Sequence, residues 1–462
     1  MRSILHLLAH GTEKRLRPTI AIAGILVLPP ILNSGFSAEL NVPAKYAAIQ
    51  EAVDAASDGD TIRIAPGIYT NQVTIEGKKL TLIGQPGTIL RATEALSLAP
   101  GPGENSFPIL YIRLSEVTLR GLIFEGEGLA GSYEGPGELR GVLLRGSSAT
   151  VESCAFYGFR ERTPGNEDAI AISASGSEAG QVNVRLTDCT FADNYLSLYV
   201  IGSPDRRNMN ITIENNTIIG PGPLDRRSPT SGINIREGVG GRIAGNTISG
   251  FSYIGTAADV PISFGIEASH QANYPEFGIL ELLEIEGNIL RDNQVHISLV
   301  KADGSTVKNN RFQGSAPGII PLGLAVSGTN VTVANNQFED MPEGIRLFGD
   351  DPTFGEGVGF ALNAEVASNR FCNVTKPVNK QRLATMNESG TLSCPFPAPV
   401  LDLAPAVVLS WLAIDEGYAI QAASSLAGPW SLVNVTPSLR DGKLTATVPV
   451  GSEHRFFRLW KP

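Results

Sequence analysis

At 462 residues the chain exceeds the usual length of one globular domain, although repeat architectures pass that length without dividing. Its 50 glycines and 30 prolines against only 18% charged residues exclude a helical protein, and 42% hydrophobic residues exclude a disordered one. A formal net charge of −10 argues against nucleic acid as a partner.

Residues 1–38 read as an export signal. Arg2, Lys14, Arg15 and Arg17 form a basic start, Thr19 to Leu32 an apolar run, and Ser34, Gly35, Ser37 and Ala38 a small-residue site. Pro29-Pro30 interrupts the run and it is short for a bilayer, so cleavage near Ala38 is expected rather than anchoring. No later segment has the length of a membrane helix. The mature chain is expected to be periplasmic, cell-surface or extracellular, and monomeric.

Residues 44–57 place Tyr46, Ile49, Val53 and Ala56 at helical spacing, which predicts one amphipathic helix. Short strands follow at Thr61–Ile64, Gln72–Ile75 and Leu80–Gly84, parted by Pro66-Gly67 and Gly77. A helix ahead of the first strands would cover the open end of a stacked sheet. The stretch YAAIQEAVDAASDGDTIRIAPGIYTNQVTIEGKKLTLIG resembles the opening of the pectin-lyase-like right-handed parallel β-helix proteins. That resemblance implies a fold more than a chemistry.

A tripeptide then recurs, Asn or Cys followed by any residue and a large apolar one. It stands at Cys154, Cys189, Asn216, Asn246, Asn288, Asn310, Asn336 and Asn369, at spacings of 22 to 42 residues. Such a period predicts a solenoid with one long binding face. The asparagines suit a bend at which each side-chain amide bonds the next coil. A second recurring strand lies between them, as at Gly232-Ile233-Asn234-Ile235 and Gly265-Ile266-Glu267-Ala268. The expected architecture is all-β, a right-handed parallel β-helix over 39–396, followed by a small β-sandwich-like domain over 397–462.

The C-terminal part carries all three tryptophans, Trp411, Trp430 and Trp460, read here as core. Its LSW, GYAIQAASSLAGPW and FFRLWKP stretches resemble a C-terminal module of secreted Verrucomicrobia proteins. Cys372 and Cys394 bracket the junction and are expected to form a disulfide, with Cys154 and Cys189 as buried free thiols.

If residues alternate in the second strand, Asn234, Arg236, Glu267 and His296 form an outward polar patch, with Tyr195, Tyr199 and Arg346 on the same face. Arginine forks to a uronate carboxylate, tyrosine covers a sugar ring, and Glu267 or His296 suits acid–base work. The bland alternative is that one face of any solenoid is polar and its charges are merely solvated. Glu167-Asp168 looks like half of a polygalacturonase aspartate strand, but the other elements of that family's site are missing. No cofactor is expected. Glu339, Asp340, Glu343, Asp350, Asp351 and Glu356 offer carboxylates to Ca²⁺ without a calcium-loop spacing. Two readings stay open: a secreted or surface β-helix that interacts with polysaccharide without catalysis, and a divergent polysaccharide lyase or glycoside hydrolase acting on a uronate-containing glycan, with Glu267, His296 and Arg236 as its catalytic residues.

Overall fold

A computed structural model describes residues 37–462 except 102–103, 131, 133–137, 161–168, 177–179, 204–207, 225–229, 255–261, 270–281, 317–319, 350–358, 395–405, 413–417, 424–427, 441–442, 450–455 and 461–462. The expected export segment up to residue 36, Glu167, Asp168, Asp350, Asp351 and Glu356 therefore lie outside the described residues.

The chain is a right-handed parallel β-helix. Among the described residues its first sheet has 13 strands, from Glu39–Val42 to Met386–Ser389, and its second has 21. A typical coil gives one strand to the first sheet and two to the second, as Val182–Thr187, Thr190–Ala192 and Leu196–Ile201 do. Each pairs in parallel with the equivalent strand of the next coil, so Val182 to Thr187 lie against Met209 to Glu214.

The tight corner after each first-sheet strand has a backbone reason. The residue just before the ladder position adopts positive φ at Ser153, Asp188, Asn215, Gly245, Gly287, Asn309, Asn335 and Ser368. That left-handed region is tolerated best by Gly, Asn and Asp. The asparagine that follows turns inward and joins its neighbours. Asn216 donates through its backbone N–H and its Nδ2 to Asn246 Oδ1, both at 2.9 Å. The same pattern links Asn246 to Asn288, Asn288 to Asn310, Asn310 to Asn336 and Asn336 to Asn369. Cys154 and Cys189 hold this position in the earlier coils, buried and unoxidised, and burial pushes their thiols up to about 11 and about 12.

One continuous apolar core fills the coil interior. Within it the large residue of each tripeptide stacks on the next. The ring centroids of Phe124 and Phe156, and of Phe156 and Phe191, are each 4.8 Å apart. Those of Phe312, Phe338 and Phe371 follow at 4.4 and 5.0 Å. The spacing is that of adjacent strands.

The helix forms over Ile49–Ala55, shorter than the apolar spacing suggested, and buries Ile49, Ala52 and Val53. Gln50 acts as a stand-in strand. Its Nε2 donates to Thr74 O at 3.1 Å and its Oε1 accepts from Thr74 N at 2.7 Å, so edge groups of Val73–Glu76 are paired. Lys78 Nζ donates to Val53 O and Ala56 O at 2.6 and 2.9 Å, meeting the carbonyl end of the helix with a cation. At the far end Cys372 and Cys394 are joined.

Residues 406–460 form two three-stranded antiparallel sheets. One joins Ala406–Leu412, Lys443–Pro449 and Ser438–Arg440, the other Ser431–Leu432, Ala419–Ala423 and Phe456–Trp460. Trp411, Ile420, Ala446 and Val448 form the core between them, joined by Phe457. Only Trp411 of the three tryptophans is core, so Trp430 and Trp460 depart from the expectation.

Asn246→Ala would strip the acceptor from Asn216 and the donor from Ile213 O at once. We expect a loss of about 2 kcal/mol or more, read as a lower midpoint in urea unfolding; an unchanged midpoint would show the ladder to be decorative.

Candidate functional site

The site strands are Glu138–Arg145, Ala169–Ser175, Leu196–Ile201, Ser231–Ile235, Phe264–Ala268, Val295–Leu299, Leu322–Val326 and Gln337–Leu347. In each, two apolar residues separated by one face the core, for example Ile233 and Ile235, Ile266 and Ala268, Ile297 and Leu299. The residue between them points out. Strand register stacks these outward residues as Leu143, Ser173, Tyr199, Asn234, Glu267, Ser298 and Ala325, then Arg346. Arg236 and Ser269 lie beside this column on the next outward position.

Asn234, Arg236 and Glu267 form a single bonded group. Glu267 Oε1 accepts from Arg236 Nη1 and from Ser269 Oγ, both at 3.0 Å. Its Oε2 accepts from Asn234 Nδ2 at 2.8 Å and from Ser231 Oγ at 3.3 Å. Arg236 also bonds Ser269 Oγ directly. Four donors occupy the lone pairs of one carboxylate. The side chains of Arg236 and Glu267 are 18% and 13% exposed, so the pair is shielded but reachable. Burial alone would lower the Arg236 pKa, yet Glu267, Tyr199 and Glu237 together raise it, and the guanidinium stays charged. Tyr199 is raised mainly by its own burial, against the pull of Arg236, and stays a phenol.

One atom of the group is left over. Asn234 is 4% exposed and its Oδ1 accepts no bond. The amide orientation follows from chemistry, because only the NH₂ end can face a Glu267 oxygen. A buried acceptor without a donor is costly, of the order of 1–3 kcal/mol. Tyr199 and Glu267 flank it in the same column, with Ser173 and Ser298 one coil further out.

Apolar clusters bound the patch on both sides. Ala99 packs on Tyr111 and Leu143 at the N-terminal side. Ile262, Val295, Ile320, Leu322, Ala325 and Phe348 pack together at the C-terminal side. Arg346 lies three coils from Glu267, about 14 Å at strand spacing. It is held by Glu343 through 2.7 and 2.6 Å bonds and is no part of the Asn234 group.

Two expected site residues fall elsewhere. His296 is fully buried on the core side of the sheet. Its Nε2 bonds Gly314 O at 2.6 Å, its Nδ1 meets Asn293 Nδ2 at 3.1 Å, and its ring is edge-on to Phe312. The cause is a bend that breaks the alternation, so the position before the first core residue also faces inward. At that position other coils carry glycine, where an added Cβ would lie 3.0 Å from the Phe251 ring at Gly232 and 2.8 Å from the Phe338 ring at Gly323. Tyr195 precedes its strand, is 5% exposed and lies outside the outward column of register partners.

Sequence reasoning also missed Asn194 and Asn293. They bond Phe159 N and Phe251 N across coils at 3.0 and 3.1 Å and brace the second corner. The signal was an Asp193-Asn194 and Asp292-Asn293 pair, with positive φ at both aspartates.

Among the described residues no group of three or more His, Cys, Asp or Glu could hold a metal ion. Glu339 is engaged by Arg311 and Gln313, Asp340 by Asn373, and Glu343 by Arg346. Burial pushes the Glu339 carboxyl up, but the bonds from Gln313 and Arg311 outweigh it and hold it below the usual range. A further concave surface, about 680 Å³, lies on the first sheet among Thr118, Thr150, Arg185 and Asn210. No helix among the described residues is long and apolar enough to cross a membrane.

Residues 140–338 match the protein family described as a right handed beta helix region. Among solved structures the chain is similar to a point mutant of the periplasmic alginate epimerase AlgG, at 11% identity and TM-score 0.46, over 78% of this chain and 84% of that one. It is also similar to a PL6 alginate lyase in complex with trisaccharide, at 15% identity and TM-score 0.40, over 77% and 84%. The A-module of the Azotobacter vinelandii mannuronan C-5 epimerase AlgE4 follows, at 12% identity and TM-score 0.41, over 75% and 92%. No curated protein matches the chain.

Burial pulls the His296 pKa down to about 4 from 6.5. The unfolded chain therefore takes up this proton first as pH falls, and the neutral ring's contribution is lost between about pH 6.5 and pH 4. His296→Gln should flatten that limb of the urea midpoint against pH by up to about 3 kcal/mol. A variant with the same acid limb as the parent would place the ring in solvent.

Proposed function

We propose that the protein is exported and holds a polysaccharide against the outward face around Asn234 without cleaving it. One observation carries the non-catalytic reading: neither candidate acid–base group on this face is free. Glu267 already accepts four bonds, and His296 lies in the core. Asn234 Oδ1 is a buried acceptor without a donor, with the Tyr199 phenol next to it in the column and Ser298 next to Glu267. These groups suit the hydroxyls of a sugar chain laid across the coils. Export rests on the basic, apolar and small-residue order of residues 1–38.

Arg236 does not favour a uronate at this face. Its guanidinium is already neutralised by Glu267, so a uronate carboxylate would have to displace a shielded internal ion pair.

The test is affinity electrophoresis of the mature chain on xylan, alginate, polygalacturonate and sulfated glycans, beside assays for reducing ends and unsaturated uronates. Retardation without product release is expected, weakened roughly tenfold in Asn234→Ala, the size of one lost polar contact. Product release that disappears in Glu267→Gln would instead establish the lyase or hydrolase reading.

A further inference from the structure

We propose that the C-terminal module carries its own site for an acidic polysaccharide, on the outer face of the sheet formed by Ser431–Leu432, Ala419–Ala423 and Phe456–Trp460. Strand alternation sorts this sheet. Phe457 and Ile420 enter the core, which sends Phe456, Arg458 and Trp460 to the other side. Trp460 is 37% exposed and Leu432 64%. Trp430 joins them, with the Arg458 guanidinium 4.3 Å from its ring centroid. Two tryptophans and an arginine thus share one accessible surface.

The polarity of the face selects the ligand. Arg458 is register partner to Gln421, and its Nε and Nη2 both donate to Gln421 Oε1, at 2.9 and 2.7 Å. That leaves Arg458 Nη1 and Gln421 Nε2 as the outward polar groups, and both are donors. None of the three strands contains an acidic residue. In a chain of net charge −10, Arg458 is thus the one charged side chain on these three strands, bordered by indole rings. The centre of the face is a guanidinium already oriented by a stacked ring and a glutamine. A uronate supplies the complement, with its carboxylate to the guanidinium and its C–H face to Trp460. This site is independent of the Asn234 face and does not rest on the reading given for it.

The experiment uses the full mature chain in affinity gels of alginate, polygalacturonate and neutral dextran at low salt, where charge screening is weak. Trp460→Ala and Arg458→Gln should each weaken binding to the acidic gels about tenfold, the size of one aromatic or charged contact. Arg458→Lys should fall between Arg458→Gln and the parent, because charge remains but the fork is lost. Mobility in dextran should not change. Arg458→Gln is an exposed substitution, and the near-ultraviolet signal of buried Trp411 reports whether each variant keeps its fold. Folded variants retarded like the parent would overturn the inference, as would equal losses in dextran or no retardation of the parent in acidic gels. A parent dimer that Trp460→Ala makes monomeric, with glycan binding intact, would mark the face as a self-interface and also overturn it. Retention abolished by Asn234→Ala but untouched by Trp460→Ala sinks this site and leaves the other; the reverse pattern does the opposite.

Discussion

The hydrogen bond from one coil to the next sets everything else in this protein. Strands of a parallel stack gain little from their immediate sequence neighbours, and each side chain meets its equivalent one coil away. The ladder Asn216–Asn246–Asn288–Asn310–Asn336–Asn369 locks that equivalence at a corner where backbone alone would leave donors unmet. With the corner in register, the phenylalanines stack and the outward residues line up as columns. The patch around Asn234 exists because successive coils are held level. A slip of one residue would turn its side chains into the core.

Within that frame the polar patch is a local conflict that the fold resolves almost completely. A carboxylate and a guanidinium mostly removed from water need partners, and Asn234, Ser231 and Ser269 provide them. The resolution explains why Glu267 is an unpromising proton carrier: groups that satisfy a charge also restrain it. The residual imbalance sits on one carbonyl oxygen of Asn234, buried with the rest of the network.

Much of this is legible in the chain. The tripeptide period, the Gly, Asn or Asp before each ladder position, and the alternating apolar pairs are short-range consequences of the corner and the pleat. The Arg236–Glu267–Asn234 grouping follows from aligning coils. What fails is strict alternation. A flat strand requires His296 to point outward, but the strand bends where Gly232, Gly265 and Gly323 stand in other coils. Those glycines are the available warning, since aromatic rings press on that position at Gly232 and Gly323, which marks it as facing inward. Residue type alone sends Trp430 and Trp460 to the core, yet a small sheet has two faces. The reach of Gln50 to Thr74 lies beyond pattern reading, because it depends on where the helix lands.

The asparagine ladder is unevenly distributed along the coil axis. It starts at Asn216, while Cys154 and Cys189 hold the corner in the earlier coils with thiols that bond only weakly to nearby carbonyls. In a quasi-one-dimensional stack, cooperativity follows such local differences in coil-to-coil coupling. Coils 216–369 are then the more strongly coupled part of the stack, and the coils toward the helical cap the less. On the exported reading, a chain threaded through a membrane from its N-terminus delivers its weakly coupled coils before the strongest contacts can close. Holding that emerging segment soluble then becomes part of the protein's biogenesis.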